Sequence, residues 1–309
     1  MIVIPPLEIT DGRLTSSTVP EPDTGETAWN SGTTYALGDR RYLASTHRIY
    51  ESLQAGNLNH DPTLDTQGDP DNPPVWWLDV GPTNQHAMFD LLRNTQTEAA
   101  SPLVVVLTPG TRVDALGLVG LEAETVVVAM TVDAVEVYSH TEDLNTRDVF
   151  DFYSYFFEPF SAKKSMVLFD LPPYTTGVIT ITISSSSGTV KCGGCVVGLQ
   201  SYIGAIEYDA EDDVLNFSRV DRAFDGTAQL LQRRSIPKTI QRVWADKSRV
   251  NKIRALREDL NAVPALWCGL DDDTHGYFEA LLILGIYKRF TINLSHPDQA
   301  LIGLELEEI

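Results

Sequence analysis

Cysteine is scarce in this chain, with three among 309 residues: Cys192, Cys195 and Cys268. That is too few for a disulfide framework and fits folding in a reducing cytoplasm. Long apolar runs are missing too. No stretch approaches the roughly 20 residues a membrane-spanning helix needs, so no membrane span is expected. Positive charge is short, with 23 Lys and Arg against 43 Asp and Glu, a net charge of −20. A nucleic-acid surface needs a basic footprint to displace phosphate counterions, so nucleic acid is not an expected partner, nor is anionic lipid. Acidity of this degree favours solubility and opposes nonspecific association. Catalytic motifs are also absent: there is no G-x-S-x-G, no Walker loop and no HExxH. The six histidines, at 47, 60, 86, 140, 275 and 296, show no H-x-x-x-H pattern. With 43 acids present, paired carboxylates carry no information about catalysis. The expectation is a non-enzyme with no cofactor and no metal. The opening MIVIPPLEITDGRL lacks a basic stretch ahead of a long apolar one and is not expected to be a secretory signal.

What is present is an ordinary globular composition, 43% hydrophobic and 21% charged, long enough to bury a sizeable core in two domains and a smaller third. Residues 1–26 form an N-terminal extension in which Ile2, Val3 and Ile4 make a short strand before Pro5-Pro6. Between 27 and 81 the chain is rich in aromatics (Trp29, Tyr35, Tyr42, Tyr50, Trp76 and Trp77) set among polar and turn residues, with a long loop from Asn57 to Pro74. Thr83 is read as capping a short helix through Asn94. From 82 to 200 short β-branched runs recur at about ten-residue intervals, the pattern of a β-sandwich. Alternation is clearest from Val178 to Ile183, with Ile179, Ile181 and Ile183 on one face. Ser184 to Gly188 is read as a turn, with Val190 to Leu199 returning as a hairpin. The C-terminal part, 201–309, is read as a β-rich assembly domain with one amphipathic helix between Ser248 and Ala262, where Val250, Ile253, Leu256, Leu260 and Val263 recur at helical spacing and Pro264 ends the run. The fold class is thus mainly β: a small aromatic module, a sandwich, and a β segment carrying one helix.

Tyr and Trp have flat apolar faces with a polar tip, suited to stacking on sugar rings or to filling a miniature core. The run AWNSGTTYALGDRRYLASTHRIYESL, Ala28 to Leu53, followed by a Pro-containing loop and PPVWWLDVG, resembles the small chitinase-type carbohydrate-binding modules. The matching residues are Trp29, Tyr35, Gly38, Asp39, Tyr50, Trp76 and Trp77. The resemblance implies that Trp29, Tyr35, Tyr50, Trp76 and Trp77 are divided between core and sugar face. Two features depart from that pattern: the long acidic loop Gly56 to Pro74, and Arg40-Arg41 directly after Gly38-Asp39, where an apolar residue is usual. The junction from Trp76 to Asp90, WWLDVGPTNQHAMFD, is similar to the W-x-x-x-G-P-T-N-x-x-x-M-F-D linker of a group of phage tail proteins. The segments PPYTTGVITITIS, VGLQSYIGAIEYDAEDDVLNFSRV and LGIYKRFTINLSHPDQALIGLELEEI are similar to that group too. This second resemblance implies a virion component assembled in the host cytoplasm with other tail proteins at the distal tail, baseplate or fibre attachment, as a homo-oligomer in a symmetric ring. Its module would face outward toward host surface glycan. A receptor-binding adhesin and a tail-associated glycan hydrolase are the alternative readings.

Three local features complete the reading. Cys192-Gly-Gly-Cys195 lies between β runs rather than at a helix N-terminus and lacks the further ligands of a zinc site, so it reads as two small residues in a hairpin, with a later disulfide as the alternative. Asp271-Asp272-Asp273 with His275 reads as a solvated turn rather than a cation loop. Nine basic residues fall between Arg233 and Arg257, with Asp246 the one acid among Asp and Glu. Arg249, Lys252 and Arg254 are the candidate subunit contacts, meeting an acidic surface of a neighbouring copy.

Overall fold

The sequence alternation becomes two-faced strands. In a computed structural model, which describes residues 1–23, 25–65, 71, 73–146, 151–157, 161–271 and 276–309, Ile179, Ile181 and Ile183 are buried while their neighbours in Val178–Ser184 are partly exposed. Leu103–Leu107 and Thr125–Val132 bury alternate residues in the same way. With Val135–Asp143 and Leu14–Ser17 they form a five-stranded antiparallel sheet. Its apolar face packs on a three-stranded sheet of Ser165–Leu168, Ala115–Val119 and Gly194–Gly198. Leu103, Val128 and Ile181 from one sheet share a core with Leu116, Leu118 and Val197 from the other.

The middle sheet is covered on both sides. Every residue of Ala115–Val119 and Gly194–Gly198 is buried, which is why these segments read as continuous runs of apolar and small residues rather than as alternation. Its second face, through Ala115, Val119, Val167 and Val196, meets Ile2, Ile4, Leu266 and Leu284 of a third sheet. Gly117 permits this approach, since a Cβ there would lie 2.1 Å from Leu266 Cδ2. The third sheet has eight antiparallel strands. Six run in the order Ser201–Tyr202, Ile2–Ile4, Ala265–Cys268, Leu282–Asn293, Gln299–Glu308 and Ser235–Asp246, and both Ala205–Ile206 and Glu211–Asn216 pair with the last of these. The helix Val250–Asp259 covers its far face, with Ile253 and Leu260 packed near Trp267, Ile302 and Leu304. The body is therefore three stacked β layers with the helix Val250–Asp259 on the outer face of the third, 48% strand overall.

The expected helix is present. Asp246 accepts a bond from the Ser248 amide at its start, and Ala262 turns to φ +58° just beyond its end, ahead of Pro264. Other expectations are corrected. No helix runs from Thr83 to Asn94; a single 3-10 turn, Ala87–Phe89, forms instead. Leu91 at φ +63° breaks any continuation, and the Asp90 carboxylate accepts from the Leu92 amide at 2.9 Å and the Thr95 hydroxyl at 2.7 Å, a side-chain turn that competes with helix. The segment after Ser184 does not fold back as a hairpin on Val178–Ser184, because that strand already has partners on both edges. Thr189–Cys192 pairs with Thr97–Ala100, and Gly194–Gly198 crosses to Ala115–Val119. Residues 1–26 are woven into the body: Ile2–Ile4 is an inner strand of the third sheet and Leu14–Ser17 an edge strand of the first. Burying Ile2, Val3 and Ile4, each 6% exposed or less, contributes about 1.5–3 kcal/mol per side chain.

Candidate functional site

The aromatic module is built on a sheet of Arg40–Leu43, Arg48–Ser52 and Trp77–Pro82, beside the short pair Thr34–Tyr35 and Asn57–Leu58. So small a unit has few aliphatic side chains and must fill its centre with rings. Tyr35, Tyr50 and Trp77 are that centre, each 4% exposed or less. Tyr35 meets Trp77 edge-on, centroids 5.2 Å apart. Their polar tips are satisfied locally: Trp77 Nε1 donates to the His60 carbonyl at 2.8 Å, and Tyr35 Oη donates to the Asn30 carbonyl at 3.0 Å. Asp65 accepts from the amides of Trp76 at 3.0 Å and Trp77 at 2.7 Å, fixing the closing pair. The rings of Tyr35, Tyr50 and Trp77 leave no face for a ligand.

Trp29 and Trp76 are placed differently. Both are half-buried, packed on the edge of the three-ring core. His60 stacks on Trp76 at 3.7 Å with the planes only 10° apart, so one indole face is covered. Of the five candidate residues, Trp29 and Trp76 keep ring surface at the module's exterior.

Polar contacts fix the module to the body. The Thr83 amide donates to the His47 carbonyl at 2.8 Å, the Thr83 hydroxyl to Glu21 Oε1 at 2.7 Å, and Gln85 Nε2 to the Val19 carbonyl at 2.6 Å. Glu21 Oε2 is 2.7 Å from His47 Nδ1. Sequence reading missed this junction because its parts carry no short spacing: Glu21 stands 26 residues from His47 and 62 from Thr83.

The basic segment is partly spent within the chain. Lys238 pairs with Glu305 at 2.6 Å, Arg242 with Asp209 at 3.0 Å, Arg234 with Glu308 at 2.7 Å and Arg257 with Glu258 at 3.0 Å. Lys252 and Arg254 are exposed on the helix, and Arg249 lies over the Tyr202 ring at 5.1 Å. None of these three forms an ion pair among the described residues. The acidic run is described only at Asp271, which is exposed; Asp272, Asp273 and His275 lie outside the described residues.

Two apolar surfaces stand clear of the cores. Arg219–Arg222 and Ala228–Leu231 form an antiparallel ribbon that pairs with no other strand among the described residues, and every residue from 216 to 235 is exposed. Phe224 on its turn is fully exposed, and Leu230 is 75% exposed. The second surface is the short helix Phe152–Phe157, whose Phe152, Tyr153, Tyr155, Phe156 and Phe157 are all exposed.

The three cysteines are free and fully buried. Burial pushes the Cys192 thiol up to about 12 and holds Cys195 and Cys268 well above the ordinary range, the opposite of a reactive thiol. A groove of about 440 Å³ between the middle and third sheets brings Arg93, Lys164, Glu279 and Glu308 together. Two of its acids are engaged structurally: Glu279 accepts from the Lys164 amide and the Ser165 hydroxyl, and Glu308 is bridged by Arg93 and Arg234. Among the described residues no helix is long and apolar enough to cross a membrane. Neither a protein-family model nor a curated protein sequence matches this chain.

Proposed function

We propose that the chain is a structural, non-enzymatic subunit of a phage tail, at the distal tail, baseplate or fibre attachment. It works as a homo-oligomer among other tail proteins, with its aromatic module turned outward toward host glycan. The observation that carries this reading is the exposed ribbon around Phe224. A two-stranded ribbon is marginal by itself in water, and a cluster of bare apolar side chains marks a protein-protein contact. Its sequence neighbourhood also carries part of the resemblance to tail proteins. Arg249, Lys252 and Arg254, which form no ion pair among the described residues, supply cations for the same assembly, where a strongly acidic neighbour provides the complement.

The test is the mass of the full chain in solution. The wild type is expected to form a discrete oligomer by light scattering, visible as a ring by electron microscopy. Phe224→Ser with Leu230→Ser is expected to yield monomer with unchanged melting, since neither side chain is part of a core. Charge reversal of Arg249, Lys252 and Arg254 to Glu is expected to weaken assembly at physiological salt. A wild type that stays monomeric at high concentration, alone and with its neighbouring tail proteins, would sink the proposal. On the glycan side, chitin-type oligosaccharides are expected to bind weakly through Trp29 and Trp76; no response on a broad glycan array leaves the module a structural element only.

A further inference from the structure

The junction between module and body gathers Asp11 from the N-terminal segment, His47 from the tight turn joining Arg40–Leu43 to Arg48–Ser52, and His86 from the segment after Pro82. One ligand atom from each lies within 4.8 Å of the other two. Behind them stands Glu21. Its Oε2 is 2.7 Å from His47 Nδ1, and its Oε1 accepts from the Thr83 hydroxyl at 2.7 Å and lies 3.7 Å from His86 Nδ1. The imidazoles are stacked, centroids 3.8 Å apart and planes 20° apart. One carboxylate thus gathers the Nδ1 edges of both rings and turns their Nε2 edges away from itself.

The Nε2 atoms need a partner. His47 Nε2 is 2.6 Å from Asp11 Oδ1. With Nδ1–H committed to Glu21, a neutral His47 would oppose a lone pair to a carboxylate oxygen, so that gap calls for a cation or for a second proton on the ring. His86 decides between them. Its side chain is 9% exposed, and its Nε2 is buried with no hydrogen-bond partner among the described residues. A proton on His47 does nothing for that atom, and a buried polar atom without a partner costs about 1–3 kcal/mol. An ion held by His47 Nε2, His86 Nε2 and Asp11 satisfies all three together.

We propose that Asp11, His47 and His86 form a binding site for one first-row divalent cation, zinc foremost, with Glu21 as the outer carboxylate that orients both imidazoles. Two imidazoles and a carboxylate suit zinc, which takes them at about 2.0–2.2 Å in a tetrahedral set. A carboxylate on the far nitrogen is the usual outer partner of such a histidine. Asp11, His47 and His86 also line a groove of about 760 Å³, which gives an ion access and leaves a fourth position for water. The ion would tie together three segments that lie far apart in the sequence. The proposal departs from the expectation of no metal, which followed from the absence of short His spacings.

The test uses the full chain, stripped with chelator and titrated with ZnCl2 by calorimetry, then with CoCl2 for a tetrahedral absorption band. One ion per chain is expected, with a cobalt band and a higher melting temperature in zinc. His86→Gln and His47→Gln should each weaken binding by more than about 100-fold, and Glu21→Gln by about 10–100-fold. Circular dichroism of each apo variant keeps a folding failure apart from a lost ligand, and His140→Gln, outside the cluster, should bind as the wild type does. Zinc binding equal in wild type and the His47→Gln, His86→Gln double variant would overturn the proposal. So would apo protein that takes up no zinc.

Discussion

Replacing Trp77 with Ala tests whether the module's aromatics are core or ligand face. Trp77 is fully buried, in contact with Tyr35, and its indole N–H donates to the His60 carbonyl. Truncating a buried Trp costs about 3–5 kcal/mol through lost transfer energy and the cavity left behind. Losing the hydrogen bond and stranding the His60 carbonyl adds about 1 kcal/mol. A hydrophobic core in a unit this small rarely supplies more than about 3–5 kcal/mol. The module's stability should therefore be exhausted while the body, whose three apolar clusters contain no module residue, stays folded. Hydrogen exchange read by mass spectrometry should show protection lost in Arg48–Ser52 and Trp77–Pro82 and kept in Val178–Ser184 and Gln299–Glu308. Trp76→Ala removes a half-buried ring and should leave both regions protected. If Trp77→Ala keeps native protection in Arg48–Ser52, the core assignment is wrong and Trp77 returns to the ligand face.

The thiols predict a defined alkaline weakness. Their folded pKa values are raised, so folding favours the protonated form; that stability is intact below about pH 8.5, where an unfolded thiol ionises, and is lost as pH rises toward the folded value. Each thiol should destabilise the fold by about 1.4 kcal/mol per pH unit across that window, and a Cys192→Ala, Cys195→Ala variant should show a shallower slope in urea melts from pH 8 to 10; equal slopes would refute it. Native protein should also resist iodoacetamide until denatured. Gly198→Ala should detach the N-terminal segment, because a Cβ there would lie 2.1 Å from the Pro5 carbonyl oxygen, and protease cleavage between Pro6 and Arg13 should accelerate; an unchanged cleavage rate would show that the backbone yields at little cost.

Where one face of a strand is buried, the sequence carries its own period. Leu103–Leu107 and Val178–Ser184 were legible to the residue because alternation and flanking turn residues agree with the pairing. The helix Val250–Asp259 was legible for the same reason, with Ile253, Leu256 and Leu260 on one stripe. The middle sheet shows the limit. A strand buried on both faces has no period to read, and its partners are set by which edges remain free, a property of the assembled sheets. That is why Val190 to Leu199 reads as one hairpin return while Thr189–Cys192 and Gly194–Gly198 pair with different strands. The junction site was illegible for a related reason: Asp11, Glu21, His47 and His86 meet through tertiary docking, and no local pattern encodes the meeting. The aromatic module lies between these cases. Its composition announced a ring-filled unit, while the division into buried Tyr35, Tyr50 and Trp77 and half-buried Trp29 and Trp76 depends on the pleat and on His60.

The path of the chain bears on the proposed tail role. Ile2–Ile4 lies inside the third sheet and Leu14–Ser17 on the first, so the chain is anchored in the body before it enters the module, and it returns through Thr83. The module is an insertion held at both ends, not a bead on a tether. Glu21, His47 and Thr83 lock the return, and a bound cation would lock it further. In a symmetric oligomer such a module presents Trp29 and Trp76 at fixed spacing and orientation. Linked weak sites exceed their single affinities only when geometry lets them engage together, so a fixed array selects for a surface whose sugars match its spacing. A flexible array would tolerate many surfaces and gain less on each. Cutting the lock with Glu21→Gln should therefore reduce binding to a glycan-coated surface more than binding to a free oligosaccharide, and equal losses on both would show that the docking serves folding alone.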